Sequence, residues 1–151
     1  MEMKTTIVLL FAALLIGSVN MALAADLTAQ PPVEIRVQLG DKDNSARFFP
    51  GDLKFETGKL YKLVLHNPSP VPHYFSSEGL ARAVFTRKAQ VLGADGKTLA
   101  EIKGNIVEIE VYPGATAEWW FVPVKAGKIN DLKCTIKGHA EKGMVGTITV
   151  K

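Results

Sequence analysis

The sequence predicts an all-β sandwich or barrel carrying one inserted helix, on two observations: short segments in which apolar and polar residues alternate, and turn formers between most of them. In VEIRVQL, Val33, Ile35, Val37 and Leu39 share one face while Glu34, Arg36 and Gln38 share the other. That period of two belongs to a half-buried strand. The same reading applies to 53–56, 60–67, 106–112, 117–123, 131–136 and 144–150, and Pro50-Gly51, Thr57-Gly58-Lys59, Pro113-Gly114 and Ala126-Gly127 separate most of them. Many short strands with regular turns favour an antiparallel arrangement over α/β alternation.

One segment departs from that period. Ser76 and Ser77 are candidate N-caps, and Leu80, Ala81, Val84, Phe85 and Ala89 follow at helical spacing, which predicts a helix over 76–91 lying across an edge or face of the sandwich. Residues 92–104 contain Asp95-Gly96 and read as a loop or small hairpin. Trp119 and Trp120, neighbours on one strand, point to opposite faces, so one belongs to the core and the other is expected partly under the helix.

The chain starts with a charged residue pair, Glu2 and Lys4, then runs through an apolar stretch from Ile7 to Val19 into Ala22-Leu23-Ala24. These are the parts of an export signal cleaved after Ala24, the alternative being retention as an N-terminal anchor. Residues 25–151 are then one domain, since 127 of the 151 residues suit a single core and are too few for two. The signal holds one Glu and one Lys, so the net charge of +3 stays with the domain. No arginine-rich run or interleaved basic and aromatic stripe supports nucleic-acid binding. A periplasmic or otherwise exported monomer, with no membrane span after cleavage, is the expected state.

Cys134 is the single cysteine, in a chain read as exported to a compartment where disulfides form. It has no partner for an internal disulfide, and an unoccupied thiol there is prone to oxidation. A metal is one occupant; a buried, inert core cysteine is the other reading.

The stretch from Cys134 to Met144 reads Cys-x4-His-x4-Met, with Cys134 ending one predicted strand, Met144 opening the next and His139 in the Gly-containing loop between. Thiolate, imidazole and thioether are soft and borderline donors that suit copper. A second imidazole has to come from His66 or His73. His73 is preferred, because it follows the turn-rich Asn67-Pro-Ser-Pro-Val-Pro and precedes Tyr74-Phe75, which can anchor it. His66 at a strand end reads more simply as solvated or hydrogen-bonded. Asn67 is a candidate for tying the two ligand loops together.

With these residues in place the chain resembles the cupredoxins, the small blue copper proteins, over most of the domain in strand layout. The resemblance is most specific in the Cys134–Met144 loop with the Gly-Met-Val-Gly-Thr-Ile-Thr-Val strand after it, and in Asn-x5-His followed by two aromatics. The Cys-x4-His-x4-Met spacing is similar to that of rusticyanin and auracyanin. The resemblance implies a Greek-key β-sandwich and one copper ion held by His73, Cys134, His139 and Met144. It also implies a one-electron carrier between Cu(I) and Cu(II) that meets redox partner proteins transiently. The alternative is a periplasmic copper-handling protein, a chaperone or store. An enzyme is not expected: after the four ligands only His66 remains for another copper centre, and no Gly-x-Ser-x-Gly, His-Glu-x-x-His, paired-cysteine or phosphate-loop motif occurs.

Overall fold

The computed structural model describes residues 26–151, so the export signal read over 1–24 lies outside the described residues. Among them, eleven strands and one short helix form two facing sheets. In chain order the strands are β1 (Val33–Leu39), β2 (Phe48–Phe49), β3 (Asp52–Phe55), β4 (Tyr61–His66) and β5 (His73–Ser76). Helix α1 (Glu78–Ala83) follows, then β6 (Val84–Leu92), β7 (Thr98–Ile102), β8 (Glu108–Val111), β9 (Thr116–Pro123), β10 (Gly127–Lys133) and β11 (Val145–Val150). One sheet runs β2-β1-β4-β9-β6-β7 and the other β3-β11-β10-β5-β8. No helix among the described residues is long and apolar enough to cross a membrane.

The all-β sandwich is as expected, but its sheets are mixed rather than antiparallel. β1 pairs in parallel with β4, and β11 in parallel with β3. The cause is that β3 leaves its predecessors and joins the opposite sheet, so the chain returns to β1 running in the same direction. Apolar residues from the inward faces then close one core, in which Leu39, Leu63, Leu65, Phe75, Phe121, Met144 and Ile148 are entirely buried. Its aromatic centre is edge-on packing of Phe121 against Phe55 and Trp119, both at 5.1 Å between centroids.

The predicted helix over 76–91 is corrected to one short helix. Ser77 does cap it, its hydroxyl accepting from the Leu80 N–H at 3.0 Å, and Asp131 on β10 accepts from the Ser77 hydroxyl and the Gly79 N–H. From Val84 onward the backbone is extended, because β9 supplies a hydrogen-bonding partner from Val84↔Pro123 to Leu92↔Thr116. The ladder slips between Thr86 and Lys88, and such a bulge breaks the period of two that would have disclosed the strand. The hairpin reading of 92–104 holds, as β6 pairs with β7 across the turn at Asp95-Gly96.

Trp119 is buried and donates from Nε1 to the Thr86 hydroxyl at 3.0 Å. Trp120 faces outward as expected, yet its cover is not the helix, which packs on β10 and β6. Three cations lie over its ring instead: Lys88 at 5.0 Å, Lys62 at 5.7 Å and Arg87 at 5.8 Å. Phe121→Ala removes the ring shared by the aromatic centre and is expected to cost about 3–5 kcal/mol of stability, measured by urea unfolding.

Candidate metal centre

Three of the residues singled out in the sequence meet at one end of the sandwich. The donor atoms of His73, Cys134 and His139 all lie within 4.8 Å of one another. Cys134 Sγ is 3.4 Å from His139 Nδ1 and 4.0 Å from His73 Nδ1, and the imidazole centroids are 5.0 Å apart. An ion with metal–nitrogen and metal–sulfur distances near those of tetrahedral sites would separate S and N by about 3.5–3.7 Å. The observed pair of distances brackets that span, so the donors fit a shared ion.

Backbone pairing brings them there. Cys134 directly follows the last residue of β10, and its N–H donates to the Met144 carbonyl at 3.0 Å where β11 begins. The Met144 N–H donates to the His139 carbonyl at 2.9 Å, and the His139 N–H to the Ile136 carbonyl at 3.0 Å. These bonds fold residues 134–144 into a closed loop with Met144 wholly buried at its base. His73 arrives on the neighbouring strand: it opens β5, a segment whose sequence reads as loop, and pairs with Val111 of β8 while Ser76 pairs with Lys133. The short β5 is hidden because Tyr74 is the one half-buried residue between buried neighbours, leaving too brief an alternation to detect.

The seam does more than position the chain. The Tyr74 N–H donates to Cys134 Sγ at 3.3 Å, giving the buried sulfur a main-chain hydrogen-bond partner. Burial, with His139 alongside, holds His73 below the usual imidazole range, keeping it neutral and able to donate an electron pair. Cys134 has no disulfide partner and is buried, while His139 remains partly exposed.

No family model matches the sequence, and no curated protein matches it. Solved structures do. A multicopper oxidase from Campylobacter jejuni aligns with 82% of this chain at 18% identity and a TM-score of 0.58, this chain spanning 31% of the oxidase. Auracyanin B aligns over 81% of this chain and 91% of its own length, at 17% identity and a TM-score of 0.52. The chain has the cupredoxin fold. Auracyanin A, described as a "blue" copper protein from Chloroflexus aurantiacus, covers 80% of this chain and is itself covered throughout (100%), at 18% identity and a TM-score of 0.50.

Within this cupredoxin fold His66 lies outside the donor cluster. It is exposed at the end of β4, with Nδ1 3.0 Å from the Thr116 hydroxyl and 3.2 Å from the Ala115 carbonyl. Asn67 has a bracing role, but not the one expected. Its Nδ2 donates to the Val71 and Val111 carbonyls at 2.8 and 2.7 Å, and its Oδ1 accepts from the Ser69 N–H at 2.9 Å. It therefore ties the loop before His73 to the end of β8, rather than to the Cys134–Met144 loop. The residue that bridges to Cys134 is Tyr74, through its backbone, and a backbone donor carries no signature in side-chain identity. Asn67→Ala strips these groups of a buried partner, at about 1–3 kcal/mol for each left unpaired. The apoprotein is thus expected to lose at least ~2 kcal/mol in urea unfolding.

Proposed function

We propose that the chain is a type 1 copper protein that carries single electrons between redox partners, in which His73, Cys134 and His139 would hold the copper and Met144 would add a weaker thioether donor. The convergence of one nitrogen from each imidazole and one thiol sulfur within 4.8 Å, with Nδ1 of both rings turned to the sulfur, is the observation that carries this reading. Two imidazoles and a thiolate with a weak thioether suit Cu(I) and Cu(II) alike, so little rearrangement accompanies the exchange of an electron. The bound copper supplies the redox couple. The protein's part is to hold three donors on hydrogen-bonded strands, keep water from the sulfur by burial, and stabilise its negative charge with the Tyr74 N–H.

His139, partly exposed, is the ligand edge through which an electron would leave, and Val145 beside the same loop is 52% exposed. A small apolar contact of that kind suits brief docking, with Lys137 and Lys142 beside it in sequence to attract acidic groups. A carrier without an activity of its own is favoured by the donor arithmetic: four ligands fill the site and His66 is employed elsewhere, whereas catalysis calls for an open position. Processing after Ala24 would release residues 25–151 as the exported domain.

The decisive measurement is the absorption and electron-paramagnetic-resonance spectrum of the Cu(II) protein. Intense thiolate-to-copper absorption in the visible is expected, abolished in Cys134→Ala and altered in His73→Ala. A colourless Cu(II) form removes the reading, and an unchanged spectrum in His73→Ala moves the first ligand elsewhere. Stopped-flow reduction separates the carrier from a copper chaperone or store: fast, reversible reduction without loss of the ion is expected, and ready transfer of copper to an apo acceptor would favour handling.

A further inference from the structure

The imidazole of His73 has a second edge, facing away from the sulfur. With Nδ1 turned to Cys134, the ring proton belongs on Nε2. A metal-ligating histidine nearly always anchors that second N–H on a carboxylate, a carbonyl or water, which fixes the ring's orientation. Here His73 Nε2 is buried without a hydrogen-bond partner among the described residues. No protein group among the described residues takes that proton, so the backbone packed against this edge has a part in setting the ring.

Gly40, the residue after β1, occupies that place. A Cβ built there would stand 2.6 Å from His73 Nε2, 3.1 Å from Cδ2 of the same ring and 3.0 Å from Ser69 Cβ. Neither side can easily give way. The Gly40 N–H donates to the Arg47 carbonyl at 2.8 Å, and its carbonyl accepts from Gln38 Nε2 at 2.9 Å, so the turn is pinned on both sides. His73 is wholly buried and Ser69 nearly so. The backbone of Gly40 is also left-handed, at φ +71, which disfavours any side chain.

We infer that Gly40 is a positioning residue for the metal centre: its bare backbone is the stop on which the His73 ring rests, and this steric seat aims Nδ1 at the sulfur. The inference deepens the copper reading and rests on it for its consequence. Any larger residue turns or pushes the ring and spoils the convergence of donors, even if the sandwich itself survives.

Gly40→Ala is to be compared with Gly58→Ala in the full chain. Gly58 is as left-handed, at φ +78, but a Cβ there meets nothing within 4 Å, so it reproduces the backbone strain without touching the site. Gly40→Ala is expected to bind copper about 10- to 100-fold more weakly in competition assays. Its visible and paramagnetic-resonance spectra should shift as well, while Gly58→Ala matches the wild type in both. Unchanged affinity and spectra in folded Gly40→Ala, or equal changes in both variants, overturn the inference. Should Gly40→Ala not fold, the wild-type apoprotein decides: a nuclear Overhauser effect between Gly40 Hα and His73 Hδ2 is expected, and its absence overturns the seat. A wild-type protein lacking thiolate-to-copper absorption would instead refute the copper reading, and the proton contact alone then decides whether Gly40 seats the ring.

Discussion

The hydrogen-bonded seam joining β5, β10 and β11 is the constraint on which the metal centre depends. Cys134 closes its loop by donating to Met144, and its sulfur receives the Tyr74 N–H from the strand alongside. One short stretch of backbone thus fixes the spacing of His73, Cys134 and Met144 and gives the buried sulfur a hydrogen-bond donor. Buried polar groups are destabilising unless satisfied, and here a main-chain donor satisfies the sulfur without any added side chain.

Around the seam, rigidity is supplied in two ways. Asn67 commits its amide to the Val71 and Val111 carbonyls, which holds the loop leading to His73 against β8. The apolar core, with Phe75 immediately after the Tyr74 donor and Ile148 on β11 fully buried, locks the strands from the other side. Donors held in this way suit the proposed carrier, because a centre with little rearrangement between two oxidation states needs its ligands fixed. Of His73, Cys134, His139 and Met144, His139 alone is left with an edge toward solvent, which under the proposed function lets one residue serve both ligation and the path outward.

The places where sequence and structure part share a physical cause. Residues 84–91 carry apolar positions compatible with a helix, but partner strand β9 offers a longer row of hydrogen bonds, and the bulge near Arg87 scrambles the alternation that marks a strand. β5 is too short for any period to be visible. The parallel pairs β1–β4 and β3–β11 arise from a change of sheet, a choice made by the whole chain and not by any segment. Trp120 faces outward as its strand position predicts, but its covering cations come from β4 and β6, far from it in sequence.

What the residues alone determined is the chemistry and most of the strands: a thiol, two imidazoles and a thioether are recognisable donors whatever the fold, and the period of two in 33–39 or 145–150 follows from burying one face. Only the tertiary structure decided that the thiol and two imidazoles meet within 4.8 Å, which of the candidate histidines joins them, and what holds each one. Distances between loops, the Tyr74 N–H on the sulfur and the bare backbone of Gly40 beneath His73 all come from long-range packing. Backbone groups and an absent side chain have no letter of their own in a sequence, and their effect exists only once distant segments are pressed together.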